Sequence, residues 1–254
     1  MMIYHHLLDD GGEKTFAIRN RPRRCAETRA AQIKMLRRSN YHVLERSIMR
    51  RSYETTYGLA GASNMHPAIL AVSRKIREEA SYYLYGRHSF HFGRDLEAVV
   101  PFFSDKTAAT RQLVREITLH KSAPSNGMHG ETCDWTAICR LLGELPNLSK
   151  LRLIVEGGQP RHEWGGPKEL SVSDLRFLYT TRHDIIEWAR DLAELDKLEQ
   201  VEIRACMRPI AEPQTNSTLV YAAFSASIET TLVDFLNTEL NIPAVAASGG
   251  INEA

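Results

Sequence analysis

Apolar residues recur in matched sets through the middle of this chain. In LPNLSKLRLIV, residues 145–155, Leu145, Leu148, Leu151 and Leu153 match Leu195, Leu198, Val201 and Ile203 of LDKLEQVEIR, residues 195–204, at a constant offset. A weaker copy lies earlier, where Val114, Ile117 and Leu119 match Leu148, Leu151 and Leu153. Each copy reads as a helix end, a tight turn and a short strand with apolar residues two apart. That is the pattern of a strand-plus-helix, leucine-rich repeat, although these copies are spaced more widely than the usual ~20–29 residues.

Taken in order, the pattern predicts further elements. Residues 3–8 read as the last turns of a helix, closed by Gly11 and Gly12, since glycine suits a helix exit. Thr15 to Arg19 alternates as a short strand, and Arg21-Pro22 breaks it. Glu27 to Met49 reads as one or two helices, and Ser52 to Met65 as a loop. His66-Pro67 opens a long helix, because proline fits a first helical turn. Its expected buried face is Ile69, Val72, Ile76, Ala80, Tyr83 and Leu84, and Gly86 is its expected end. Strands follow at Ser89–Phe92, Glu116–His120, Lys150–Val155 and Gln200–Ala205. Helices are expected at Asp95–Phe103, Thr107–Val114, Trp135–Leu142, Ser173–Tyr179 and His183–Leu195. A single closing helix is expected over Leu219–Leu240.

Strands alternating with helices imply a mostly parallel sheet with right-handed crossovers. Helices on one face would curve it as in a leucine-rich-repeat protein, and helices on both faces would make an open doubly wound sheet. The repeat favours the first. The expected fold is therefore α/β: a short, curved, parallel sheet of leucine-rich-repeat-like strand–helix units, preceded by an α-helical N-terminal segment. The expected division is a basic N-terminal segment at 1–65, the repeat domain at 66–242 and a flexible tail at 243–254.

Hydrophobic residues at 43% and charged residues at 25% are ordinary globular values. No apolar run is long enough to span a membrane, and MMIYHHLLDDGG does not read as a signal peptide. An intracellular protein is expected. The net charge of +1 hides an asymmetry: residues 1–51 carry 12 Lys/Arg against 5 Asp/Glu, and the remainder 20 against 26. The basic segment either packs against the acidic remainder or binds nucleic acid through residues 19–51.

No P-loop, GxGxxG, GxSxG or HExxH motif is present. Gly157-Gly158 and Gly165-Gly166 lack the lysine or helix start of a phosphate cradle and read as loop hinges. His183-Asp184 reads as a helix start. Cys133 and Cys139 have neither CxxC nor a common zinc spacing, and His129 nearby makes no convincing third ligand. His5-His6 and His88/His91 are pairs without a third ligand. No cofactor, metal or catalytic residue is therefore expected.

Loop placement is the most informative feature. Lys121–Thr132, Glu156–Leu170 and Cys206–Thr218 are long connections, and long connections are often functional. If the strands are parallel, all three leave the carboxyl edge of the sheet, where ligands bind in open α/β sheets. The candidate partner-binding residues are Arg161, His162 and Trp164 in the second loop and Met207 and Arg208 in the third, because tryptophan and arginine most often anchor interfaces. The alternative is that Trp164 folds back onto the core and the loops are tolerated insertions.

One stretch carries a family resemblance. Arg74-Lys75-Ile76-Arg77-Glu78-Glu79-Ala80, then Leu84-Tyr85, then Phe90-His91-Phe92, resembles the core of a large group of filamentous-fungal F-box-like proteins. Met2-Ile3-Tyr4-His5-His6-Leu7-Leu8 resembles the end of their box, with the preceding Leu-Pro-x-Glu-Leu-Arg part missing. The resemblance covers residues 2–155. It implies docking onto a Skp1-type adaptor, with Ile3, Tyr4, Leu7 and Leu8 as the remnant of the adaptor-binding segment and Glu79 as either a binding residue or a helix charge pair. The missing part implies a weakened interaction. The expected function is a non-enzymatic protein-interaction scaffold, which the resemblance would make a degenerate F-box-type substrate adaptor. The alternatives are an enzyme or small-ligand binder at the carboxyl edge, and a nucleic-acid module through residues 19–51.

Overall fold

The computed structural model describes residues 4, 7–8, 15–20, 23–24, 46–48, 51–54, 57–59, 66–122, 134–160, 165 and 169–242. The chain is α/β. Its main sheet is built from β1 (Thr15–Asn20), β5 (Tyr57–Leu59), β6 (Ser89–His91), β7 (Glu116–Lys121), β8 (Lys150–Pro160) and β9 (Gln200–Ile210), in the order β5-β1-β6-β7-β8-β9. The strands from β1 to β9 run parallel, and β5 closes the far edge antiparallel to β1. A second sheet, in the order β2-β4-β3, joins β2 (Arg23–Arg24), β3 (Arg46–Ile48) and β4 (Arg51–Glu54).

The three matched sets are neighbouring parallel strands in register: Ile117 pairs with Leu151 and Leu151 with Val201, then Leu119 with Leu153 and Leu153 with Ile203. The turns before them repeat too. Ser149 and Lys150 both donate backbone N–H to the Arg115 carbonyl, and Glu199 and Gln200 do the same to the Ser149 carbonyl. Side chains alternate across a strand. One face of the sheet therefore buries Phe16, Ile18, Phe90, Phe92, Ile117, Leu119, Leu151, Leu153, Val201 and Ile203.

Against that apolar face lies a connected layer of helices. Contacts run from α2 (Val99–Ser104) to α4 (Trp135–Gly143), on to α6 (Ala189–Ala193), then α8 (Thr231–Glu239) and α5 (Val172–Thr180). Asp134 caps α4 by accepting from the Ala137 amide, and Ser171 with Asp174 forms a capping box on α5. Trp135 and Trp188 meet edge to face with centroids 6.3 Å apart, and the Trp135 indole donates to the Trp188 carbonyl. The remaining helices are α1 (Arg74–Arg87), α3 (Ala108–Arg111) and α7 (Asn216–Ala226).

Several expectations are corrected. The described residues of the N-terminal segment are mostly strand rather than helix, and β1 and β5 complete the main sheet beside β6. Residues 46–48 and 51–54 form an antiparallel hairpin rather than a helix end and a loop, and 57–59 is a strand. Strand pairing there overrides a loose local helical period. Residues 25–45 and the tail 243–254 lie outside the described residues.

The long helix starts at Arg74, where Ser73 caps it, and Pro67–Ala71 is a separate 3-10 turn. Val72 is consequently 65% exposed and Ile76 only half-buried, while Ala80, Tyr83 and Leu84 are buried as expected. The helix runs through Gly86 to Arg87. Of residues 183–195 only Ala189–Ala193 is α-helical, and Asp95–Phe103 opens as a 3-10 turn at Leu96–Ala98 before α2.

The closing helix is two helices bent by 82°. The break is polar and buried. The Ser227 hydroxyl donates to the Ala223 carbonyl and accepts from the Leu170 amide at 2.7 Å, so the chain turns where a second segment ties to it. Phe224, Ile228, Leu232, Phe235 and Leu236 still all face the core. Among the described residues no single helix is long and apolar enough to cross a membrane.

Candidate functional site

The other face of the sheet is polar. Across its middle Arg152 pairs with Glu116 on one side, at 3.4 Å, and with Glu202 on the other, at 2.9 Å; Arg204 adds a second bond to Glu202. This ladder follows from the register, because Thr118, Arg152 and Glu202 are direct cross-strand partners.

The ladder ends in a tighter cluster at the carboxyl edge. Glu156 leaves only 8% of its side chain exposed. Its Oε1 accepts from Arg208 Nη2 at 2.7 Å, forms an ion pair with Arg94 Nη2 at 3.0 Å and lies 3.1 Å from His120 Nε2. Four consecutive parallel strands supply the cluster: Arg94 follows β6, His120 ends β7, Glu156 lies in β8 and Arg208 in β9. Arg94 is delivered by a turn at Gly93, whose φ of +56° favours glycine. A side chain at Gly93 would also strike the Arg19 guanidinium. Arg19 in turn pairs with Asp95 at 3.9 Å.

Burial pushes the His120 imidazole below its ordinary pKa; Glu156 opposes that and Arg94 adds to it. The ring is therefore neutral near pH 7, and its contact with a carboxylate places the proton on Nε2. Tyr221 is raised, first by burial and then by the charge of Glu156. The two guanidiniums outnumber the one carboxylate, and about half of each remains open to solvent, 53% for Arg94 and 51% for Arg208.

Gly157 and Gly158 are not loop hinges. They continue β8 and pair with Met207 and Arg208, so two of the three long loops begin as strand. Both glycines are needed for close approach. A Cβ on Gly157 would meet Met207 Sδ at 2.8 Å, and one on Gly158 would meet the Tyr221 ring at 2.6 Å. Helix α7 thereby closes on this end of β8, where the Gly158 amide donates to Ser225 Oγ at 2.8 Å. That bond satisfies a strand group beyond the reach of β7.

Of the candidate partner-binding residues, Arg208 enters the cluster, while Met207, the residue before it in β9, has the opposite parity and lies on the other face of the sheet, 41% exposed. Arg161, His162 and Trp164 lie outside the described residues, as do Cys25, His129 and Cys133. Among the described residues no group of three His, Cys, Asp or Glu is placed to hold a metal ion. Sequence reading missed Arg94, His120 and Glu156. The available signal was the second parity of the matched strands, whose polar positions line up as consistently as the apolar ones.

The segment expected to dock an adaptor is placed differently. Ile3 lies outside the described residues. Tyr4, Leu7 and Leu8 are helical, but Leu8 is fully buried in the core and Leu7 packs against it. Leu8 is thus a core residue, not a contact open to an adaptor. Tyr4 donates its hydroxyl to Glu79 at 2.7 Å, so Glu79 serves as an anchor for the segment. Tyr4, Glu78, Glu79, Tyr82, Tyr83 and Arg87 line a groove of about 330 Å³. His183 and Asp184 lie in a turn after Arg182, and His183 Nδ1 accepts from the Ile185 amide.

Compared with protein-family models, curated proteins and solved structures, the chain matches none of them.

Proposed function

We propose that this chain is a non-enzymatic interaction module that holds a protein partner at the carboxyl edge of its parallel sheet. The observation that carries the reading is the cluster on Glu156, where one buried carboxylate organises two half-exposed arginines at the end of the sheet where β9 also exposes Met207 on its other face. Arginine is among the side chains that most often carry interface hot spots. The in-register strand units, with one connected helix layer on their apolar face, support the leucine-rich-repeat-like description. The F-box-type adaptor reading carries less weight, because Leu8 and Tyr4 are engaged by the chain's own core and by Glu79.

A second reading, a small-ligand or enzymatic site at the same edge, is favoured by one feature. His120 is held neutral beside a carboxylate, as a general base would be.

The test is affinity capture from an extract of the source cells with wild-type protein and Met207→Glu. Met207 is exposed, so the variant should fold normally, and folding is checked by circular dichroism. A protein retained by the wild type and lost by the variant supports the reading. Equal retention by both, or none by either, sinks it.

A further inference from the structure

We infer that the carboxyl edge holds a carboxylate-binding site formed by the guanidiniums of Arg94 and Arg208 on the Glu156 platform. This rests on the interaction-module reading and gives its partner a chemistry: an acidic side chain presented by a peptide segment.

Three observations converge. The first is charge. Arg94 and Arg208 bring two positive charges to one negative one, and His120 between them is neutral near pH 7. The surplus of one matches a carboxylate rather than a phosphate dianion.

The second is geometry. Each arginine reaches Glu156 through a single nitrogen, Nη2, and a guanidinium carries five N–H donors in a planar fork. Bonds to Glu156 fix where the forks sit while half of each side chain faces solvent. Such a fork binds a carboxylate by two parallel hydrogen bonds.

The third lies further along the same polar face. Thr118 Oγ1 and His91 Nε2 are buried and have no hydrogen-bond partner among the described residues. They are cross-strand partners, and Thr118 is only 3% exposed. Buried polar atoms are normally satisfied. These two adjacent exceptions show that the polar face near His120 is not fully satisfied by the described residues, although both atoms are closed to solvent and do not line the forks. The Arg152 ladder, by contrast, balances Arg152 and Arg204 against Glu116 and Glu202 and leaves no surplus.

The test is a titration of the full chain, followed by nuclear magnetic resonance at constant ionic strength. The signals are the His120 ring protons and the Nε–H groups of Arg94 and Arg208. The probes are a pentapeptide with blocked termini and a central glutamate, its glutamine counterpart, glutarate and inorganic phosphate. The expected result is a saturable shift with the glutamate peptide and none with the glutamine peptide. Binding should fall about tenfold or more in Arg94→Gln and in Arg208→Gln, the loss of one charge-assisted bond, and stay unchanged in Arg140→Gln on α4. If a glutamine variant fails to fold, Arg→Lys at the same position replaces it, since lysine keeps the charge and loses the fork.

Saturation by glutarate with none by the peptide keeps the carboxylate site and removes the peptide as its source. Phosphate binding tighter than either carboxylate, or no saturable shift with any probe, overturns the site. The two levels separate by one further capture with Arg94→Gln/Arg208→Gln. A partner that the wild type retains and this variant also retains leaves the module reading standing and removes the carboxylate site.

Discussion

Two buried charges in this protein are treated in opposite ways. Lys106 has only 14% of its side chain exposed. Its ammonium lies over the rings of Phe102 at 4.8 Å, Tyr57 at 5.0 Å and Tyr85 at 5.7 Å. It donates to the Tyr57 hydroxyl and pairs with Asp105, to which Tyr57 also donates. Burial lowers the Lys106 pKa against the pull of Asp105, and burial pushes Tyr85 up to about 12. The three rings that answer this charge are tied to the core, and only Asp105 is open to solvent, 38% exposed, so the cage rivets β5 and α1 to α2. Glu156 is about as buried, but its counter-charges are half exposed and outnumber it. A charge enclosed by its own chain is structural; a charge surrounded by an open surplus of the opposite sign is equipped to receive something else.

The comparison is broken most strongly at Phe102. This ring is 4% exposed, forms one wall of the lysine cage and touches Phe90, Phe92 and Phe103. Phe102→Ala should cost about 3–5 kcal/mol, the range for deleting a buried aromatic side chain. Urea unfolding measures it, and a loss below about 1 kcal/mol would show that the cage is not core. Lys106→Ala should cost less, about 2 kcal/mol for a desolvated cation over aromatic faces. It should leave capture of any partner intact. A variant that loses its partner at unchanged stability would make Lys106 functional and reverse the contrast.

Glu156→Gln sharpens the other side. The amide fills the same volume and keeps an acceptor, so the stability loss should be about 1 kcal/mol, reduced by the solvent that screens both arginines. Binding should move the opposite way. Without its negative charge the platform carries a surplus of two, and inorganic phosphate, followed by the same resonances, should bind more tightly than to the wild type. A loss of anion binding together with stability would mean that Glu156 is needed to hold the arginines in place.

How much of this was readable beforehand follows from what period and parity can encode. Leu151, Leu153, Val201 and Ile203 specified both the strands and their register, because a one-residue slip would turn every one of them outward. Arg208 was expected inside the third loop, and continuing the same parity past Ala205 puts it on the polar face. Parity did not reveal that β8 and β9 continue through Gly157 and Met207, since two glycines in a row look like a turn until α7 is seen to need their bare Cα atoms. The position of β1 between β5 and β6 is a long-range pairing with no local signature. The break at Ser227 depends on the Leu170 amide, far away in sequence. Glu156 and His120 fall into the same class: each is ordinary alone, and only pairing across β6, β7, β8 and β9 assembles them with Arg94.

The smallest expected effect is a pH dependence confined to the polar face. His120 and His91 both have their pKa lowered in the fold, chiefly by burial. Glu156 opposes the shift at His120, while Arg94 and Arg208 reinforce it; at His91 the neighbouring charges of Arg19, His120 and Arg152 all reinforce it. The unfolded chain protonates these rings near their ordinary value of 6.5, and the folded chain does so only at lower pH. Between those two points the unfolded state binds more protons, so stability rises with pH. The contribution is complete above the ordinary value and is lost as the pH falls through it. Thermal unfolding should therefore show a melting temperature that is flat above about pH 7 and declines below about pH 6.5. His120→Gln and His91→Gln should each make the decline shallower. The His91 variant should do so without weakening the Arg94 and Arg208 contacts to Glu156, whereas the His120 variant removes a ligand of that carboxylate. Equal slopes in the wild type and both variants would show that neither ring is held neutral by the fold, and would take away the match of the edge to a single carboxylate charge.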